Sequence, residues 1–207
     1  MTAGPARFHG VYALIDPAAH AEPAGYLDAL LRGGIRLVQI RAKGGIAPGL
    51  LRTLVARIRD LGGTAIVNDD VELALEADGV HLGQEDLAGH DLQAVRARLG
   101  GRAIGVSCGT PAEARAVPPG LVDYIGAGPI FATSSKGDAG GPIGVNGVRV
   151  VVEATALPVA AIGGITLAAV PRVRETGAAM AAVISALAGA ADPETAARAF
   201  VAAWTGR

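Results

Sequence analysis

Residues 37–43 read Leu-Val-Gln-Ile-Arg-Ala-Lys, an apolar run whose end carries Gln39, Arg41 and Lys43. Alternation along an extended strand puts those three side chains on one face. Two cations and an amide repel one another in an empty core unless carboxylates, or a ligand rich in anionic oxygens, lie among them. Phosphate or diphosphate is the natural candidate. Two further apolar runs lead into carboxylates, one through Asn68-Asp69-Asp70 and one through Gly83-Gln84-Glu85-Asp86. Asp69 and Asp86 could together hold Mg²⁺, a hard cation that takes one or two carboxylates and fills its remaining positions with water and substrate phosphate. Taken singly, Asp69 is more often a helix N-cap or an ion-pair partner.

Hydroxyls form a further set. Ser107 closes Gly105-Val106-Ser107, and Thr133, Ser134, Ser135 and Lys136 follow the long transition Gly126-Ala127-Gly128-Pro129-Ile130-Phe131. Hydroxyls, backbone amides and a lysine suit an anion, although the same residue types also make ordinary turns. In Ile162-Gly163-Gly164-Ile165 the missing side chains would let a phosphate approach backbone N–H groups, and Ile184-Ser185 ends another apolar run. The chain therefore offers two separable anion sites, one beside the expected metal and one across from it.

The elements that must position these groups alternate. Short apolar runs at Val11–Ile15, Leu37–Ile40, Thr64–Val67, Gly79–Leu82, Ala103–Val106, Tyr124–Ala127, Pro158–Ile162 and Ala178–Ile184 read as buried parallel strands. Between them lies room for helices, with helical periodicity at Ala24–Leu31, Pro48–Leu61, Leu92–Leu99 and Glu194–Trp204 and glycine stops at Gly62 and Gly100. Eight such units predict an α/β fold, a single-domain (β/α)₈ TIM barrel over residues 1–207, with an open doubly wound sheet as the alternative. In a barrel the polar clusters all fall at the C-terminal ends of strands, where catalytic groups sit, and the ends of strands seven and eight form the usual phosphate site.

The composition excludes several classes of function. With 18 basic and 19 acidic residues, a net charge of −1 and 3% aromatic residues, the chain lacks the electrostatic footprint and stacking surfaces of a nucleic-acid binder. No run of about 18 uncharged apolar residues occurs, so neither a membrane span nor a signal peptide is expected. One cysteine, Cys108, excludes an internal disulfide and makes the cytoplasm the default compartment. The expected partners are small phosphorylated molecules; the sequence does not set the oligomeric state.

The motifs together resemble the thiamine phosphate synthase (thiamine-phosphate pyrophosphorylase) family. The matching segments are Val38-Gln39-Ile40-Arg41-Ala42-Lys43, Asn68-Asp69-Asp70, Ala77-Asp78-Gly79-Val80-His81-Leu82-Gly83-Gln84-Glu85-Asp86, Ile104-Gly105-Val106-Ser107, Asp123-Tyr124-Ile125-Gly126 with Gly128-Pro129-Ile130-Phe131, and Ala161-Ile162-Gly163-Gly164-Ile165. The resemblance implies a Mg²⁺-dependent transferase that joins an aminopyrimidine diphosphate to a thiazole phosphate, giving thiamine phosphate and diphosphate by dissociative substitution. It implies that Gln39, Arg41, Lys43, Asn68 and Ser107 bind the pyrimidine diphosphate, with Lys136 reaching toward it, and that Asp69 and Asp86 hold the metal. Arg41, Lys43 and Lys136 are then the catalytic cations. The thiazole phosphate falls to Thr133, Ser134, Ser135, Gly164, Ile184 and Ser185. Three places depart from the family pattern: Ala42 stands where an acidic residue is usual, Cys108-Gly109 replaces a polar pair, and Thr133-Ser134-Ser135 lacks a second threonine.

Displacement of diphosphate needs no protein nucleophile, so Cys108 reads as a small buried hydrophobe and His81 receives no role. A thiazole tautomerase of the same barrel family is the alternative function; it would need neither a diphosphate clamp nor Mg²⁺, which Asp69, Asp86 and Lys136 argue against. A phosphate-binding isomerase or aldolase would need an acid–base pair or a Schiff-base lysine, for which Lys43 is the only candidate. A non-catalytic ligand-binding relative ranks last.

Overall fold

A computed structural model describes residues 8–84, 89–118, 120–133 and 141–207. Eight parallel strands close into a barrel in chain order, each paired with its sequence neighbours and the eighth with the first. They are β1 (Gly10–Ile15), β2 (Leu37–Ile40), β3 (Thr64–Asn68), β4 (Gly79–Leu82), β5 (Ala103–Ser107), β6 (Tyr124–Ala127), β7 (Val159–Ile162) and β8 (Met180–Val183). The expected (β/α)₈ barrel is thus the fold, and the open doubly wound sheet is not. The last two strands are shorter than their apolar runs, because Pro158 has no N–H for the ladder and residues 184–185 already turn into the next helix.

The outer ring contains α1 (Pro23–Arg32), α2 (Pro48–Asp60), α3 (Leu92–Leu99), α4 (Pro111–Ala116), α5 (Gly144–Glu153), α6 (Val170–Arg174), α7 (Ser185–Ala188) and α8 (Pro193–Thr205). Helices begin where the chemistry favours it: Pro occupies the first turn of α1, α2, α4, α6 and α8, and Asp91, Thr110 and Asp192 supply side-chain N-caps. The connection between β3 and β4 departs from the expected helix. Only residues 69–78 join these strands, and Asp70 accepts the Leu73 N–H at 2.8 Å, so the chain makes one 3₁₀ turn (Leu73–Glu76) instead of an α-helix.

Two apolar cores follow from strand alternation. Outward residues such as Val38, Ile40, Val67, Val80, Ile104 and Ile125 pack against the helices. Inward residues, including Phe8, Tyr12, Leu14, Leu37, Ile66, Tyr124 and Met180, fill the barrel. The inner filling depends on two glycines. A Cβ at Gly105 would lie 2.2 Å from the Tyr124 ring, and one at Gly79 would lie 2.3 Å from the Ala103 carbonyl oxygen.

The lower end is tied by two acidic residues in equivalent places. Asp78, just before β4, accepts the Ala65 N–H of β3 at 2.9 Å and pairs with Arg59. Asp123, just before β6, accepts the Ile104 N–H of β5 at 2.8 Å and pairs with Arg96 at 2.6 Å. Arg96 also donates to the Leu121 and Arg102 carbonyls. Each aspartate thus replaces a missing ladder partner where a strand pair begins.

Candidate active site

The C-terminal ends of the strands surround a cavity of about 180 Å³. Gln39, Arg41, Lys43, Asn68, Asp69, Ser107 and Ile184 all line it. Gln39, Arg41 and Lys43 therefore converge on the cavity, although β2 itself ends at Ile40 and alternation accounts only for Gln39 and Arg41. Arg41 stays in register by donating its backbone N–H to the Ile15 carbonyl at 2.8 Å, and the chain turns away after it. Arg41 is half-buried and Lys43 is exposed; among the described residues no carboxylate pairs with either.

Asp69 has a backbone conformation unlike that of any other described non-glycine residue, with φ of 61°. Asp tolerates this left-handed region better than most residues. Its N–H donates to the His81 carbonyl at 2.8 Å; its Oδ1 accepts the Gly83 N–H at 2.9 Å and its Oδ2 accepts the Asn68 amide. The carboxylate is thereby locked between the ends of β3 and β4. The neighbouring Asp70, not Asp69, caps the following turn, so the N-cap alternative does not apply to Asp69. Gln84, also on the cavity, donates to Glu113 Oε2 at 2.6 Å, and the same oxygen takes the Gly109 N–H at 2.6 Å. Glu113 thus ties the end of β4 to that of β5 while completing the capping box of α4.

Three residues that sequence reading left without a role occupy the floor. Gln39 Nε2 donates to the Tyr12 hydroxyl at 2.9 Å, which lies 2.9 Å from the Tyr124 hydroxyl. His81 bridges Tyr124 through Nδ1 and Ser107 Oγ through Nε2, both at 3.1 Å. Burial pushes the Tyr12 and Tyr124 phenols well above their ordinary range, so both keep their protons. The signal was present in part: an inward-facing strand position that is Tyr or His needs a polar partner, and Gly105 opposite Tyr124 makes the space for it.

Across the mouth the chain turns on two glycines. Gly163 and Gly164 have φ of 100° and 64°. A Cβ on Gly163 would sit 2.5 Å from Pro129 Cβ, and one on Gly164 would sit 2.4 Å from the Ala132 carbonyl oxygen. The glycines thus admit the segment after β6, which donates the Ile130 and Phe131 N–H groups to the Ile162 and Gly163 carbonyls. Ile184 lines the cavity, whereas Gly164 after β7, Ser185 after β8 and Thr133 after β6 are outside its lining. Asp86, Ser134, Ser135 and Lys136 lie outside the described residues. Cys108 is buried in the outer core, and burial with the nearby Glu113 charge pushes its thiol up to about 11, as expected of a structural cysteine.

A closed (β/α)₈ barrel whose C-terminal mouth carries a locked carboxylate and, among the described residues, two cations without a carboxylate partner defines the class as a TIM barrel with a charged site at the C-terminal ends of its strands. The model of the thiamine monophosphate synthase family matches residues 11–187. The thiamine-phosphate synthase of Moorella thermoacetica is 47% identical over 174 residues, covering 81% of each chain. A thiamine biosynthesis bifunctional protein of Symbiobacterium thermophilum is 48% identical over 188 residues, which cover 87% of this chain and 38% of that protein. The thiamine phosphate pyrophosphorylase structure from Pyrococcus furiosus superposes with a TM-score of 0.86 at 31% identity, covering 97% of both chains. The chain belongs to the thiamine monophosphate synthase family. Among the described residues no helix is long and apolar enough to cross a membrane.

Proposed function

We propose that the protein joins hydroxymethylpyrimidine diphosphate to a thiazole phosphate, forming thiamine phosphate and releasing diphosphate. One observation carries this reading: Arg41 and Lys43 meet on the cavity with no carboxylate partner among the described residues, so their charge is left for an anionic ligand. The relatives support it by name, and give the tautomerase alternative no support.

In this reading the bond between the pyrimidine methylene carbon and the diphosphate oxygen breaks first, and its electron pair leaves with the diphosphate. The amino-substituted ring spreads the resulting positive charge, and the thiazole nitrogen then donates its lone pair to that carbon. Arg41, Lys43 and Lys136 stabilise the charge that grows on the leaving oxygen. Gln39 and Asn68 hold the pyrimidine ring, and Ser107 donates to the diphosphate. Thr133, Ser134, Ser135, Gly164, Ile184 and Ser185 take the thiazole phosphate, so that its nitrogen meets the carbon in line. Arg41→Ala and Lys43→Ala should each lower kcat/KM by about 10²–10³-fold, the usual loss for a donor aimed at developing negative charge.

Mg²⁺ fits the residues present: Asp69, on the cavity, offers carboxylate oxygens held in a fixed orientation by the Asn68 amide and the Gly83 N–H. Asp69 and Asp86 would hold the ion, which would supply further charge neutralisation to the diphosphate. We place the protein in the cytoplasm, a reading supported by its single cysteine.

The test is turnover. Purified protein with Mg²⁺ and both substrates should yield thiamine phosphate and diphosphate in equal amounts, and no product under those conditions would overturn the reading. Asp69→Ala should raise the Mg²⁺ concentration needed for half-maximal rate, whereas Ser135→Ala should chiefly raise KM for the thiazole phosphate; indistinguishable effects would contradict two separate anion sites.

A further inference from the structure

The floor of the cavity carries a continuous chain of hydrogen bonds, Gln39–Tyr12–Tyr124–His81–Ser107, whose two ends both face the cavity. Its links are 2.9, 2.9, 3.1 and 3.1 Å. Tyr12 and Tyr124 are both almost wholly buried. Each phenol keeps its proton because burial disfavours the phenolate.

The donor count then gives the chain a direction. Gln39 Nε2 donates to Tyr12, so the Tyr12 proton goes to Tyr124, and the Tyr124 proton goes to His81 Nδ1. His81 therefore carries its proton on Nε2 and donates it to Ser107 Oγ, which leaves the Ser107 hydroxyl proton for the cavity. At the other end, Gln39 Oε1 is left to accept. With His81 neutral, the opposite direction is the only other fully bonded arrangement: the Gln39 amide turns over, every proton shifts, and Ser107 spends its own proton on His81. Mixed arrangements leave a buried group without a partner, which is costly.

We propose that this chain couples the two ends of the pyrimidine diphosphate site, so that a demand for a donor at Ser107 makes Gln39 an acceptor and selects an amino group over an oxo group on the ring. The proposal rests on the function proposed above and adds Tyr12, Tyr124 and His81 as positioning residues. An anionic diphosphate oxygen requires Ser107 to donate, and an aminopyrimidine presents an N–H for Gln39 Oε1. Both ends then favour the same direction. A ring with oxygen in place of the amino group presents an acceptor, and to meet it Gln39 must turn over and reverse the chain, withdrawing the Ser107 proton from the diphosphate end.

The test is equilibrium binding without thiazole phosphate, so that reactivity plays no part, using hydroxymethylpyrimidine diphosphate and its analogue with oxo in place of amino. The wild-type protein should prefer the amino ligand on the order of 100-fold, the range expected when a buried polar group is left unpaired. Tyr124→Phe cuts the chain at its centre while keeping the ring, and should lower that preference to about tenfold or less by letting the two ends orient independently. Tyr12→Phe should do the same, and serves if Tyr124→Phe does not fold. In the wild-type complex with the amino ligand, ¹⁵N NMR should find the His81 proton on Nε2. An unchanged preference in a folded variant, equal binding of both ligands by the wild type, or a proton on Nδ1 of a neutral His81 would overturn the coupling; failure to bind either diphosphate would overturn the functional reading with it.

Discussion

Asp69 is the residue whose geometry the fold fixes most tightly at the cavity. Its left-handed backbone and two hydrogen bonds hold the carboxylate at the cavity. Asp69→Asn retains an acceptor for the Gly83 N–H and tolerates the same backbone, so its thermal midpoint should stay close to that of the wild type while the Mg²⁺ requirement rises. The basic trio and Asp69 were legible because charge in an otherwise apolar run demands an explanation. Tyr12, Tyr124 and His81 were not, because their importance lies in mutual distances between residues up to 112 positions apart. Cys108 belongs to the same scale: with its thiol held near 11, it should resist alkylation at pH 7.5 in the folded protein and react readily in denaturant, as mass spectrometry would show.

Among the elements, the strands were read almost residue for residue, since fully buried parallel strands are continuous apolar runs. The missed one was the connection from β3 to β4, where ten residues and an Asp70 cap favour a 3₁₀ turn. Gly105→Ala should force the Tyr124 ring aside, destabilise the protein by about 2 kcal/mol in urea titration and weaken pyrimidine diphosphate binding. The last helix is a second test. Asp192 caps α8 through the N–H groups of Glu194 and Thr195, and Glu194 pairs with Arg32 of α1 at 2.7 Å, fastening the end of the chain to its first helix. Hydrogen bonds to Thr195 hold the Asp192 carboxyl below its ordinary 3.8, and Arg32 holds Glu194 below 4.5. Groups lowered on folding contribute their full stability above these values and lose it as pH falls through the lowered native ones. The thermal midpoint should therefore fall as pH drops below about 4.5, and Asp192→Ala should flatten that fall.

At the scale of the molecule, stability and function occupy opposite ends of one cylinder. The lower end is closed by Asp78 and Asp123 with their arginines. The upper end leaves Arg41 and Lys43 free of carboxylates among the described residues. Asp123→Ala would strand Arg96 among carbonyls and release the Ile104 N–H, and should cost about 3 kcal/mol in urea titration. The barrel itself was legible from eight repeats, and the family from six ordered motifs; several motif residues, Asp78 and Asp123 among them, turn out to secure strand pairs far from the mouth. The claim on which everything else depends is that the upper rim keeps its positive charge for a diphosphate. A crystal structure with hydroxymethylpyrimidine diphosphate and Mg²⁺ should show the diphosphate oxygens on Arg41 and Lys43 with the metal on Asp69. A diphosphate bound elsewhere, with both cations turned out to solvent, would contradict it.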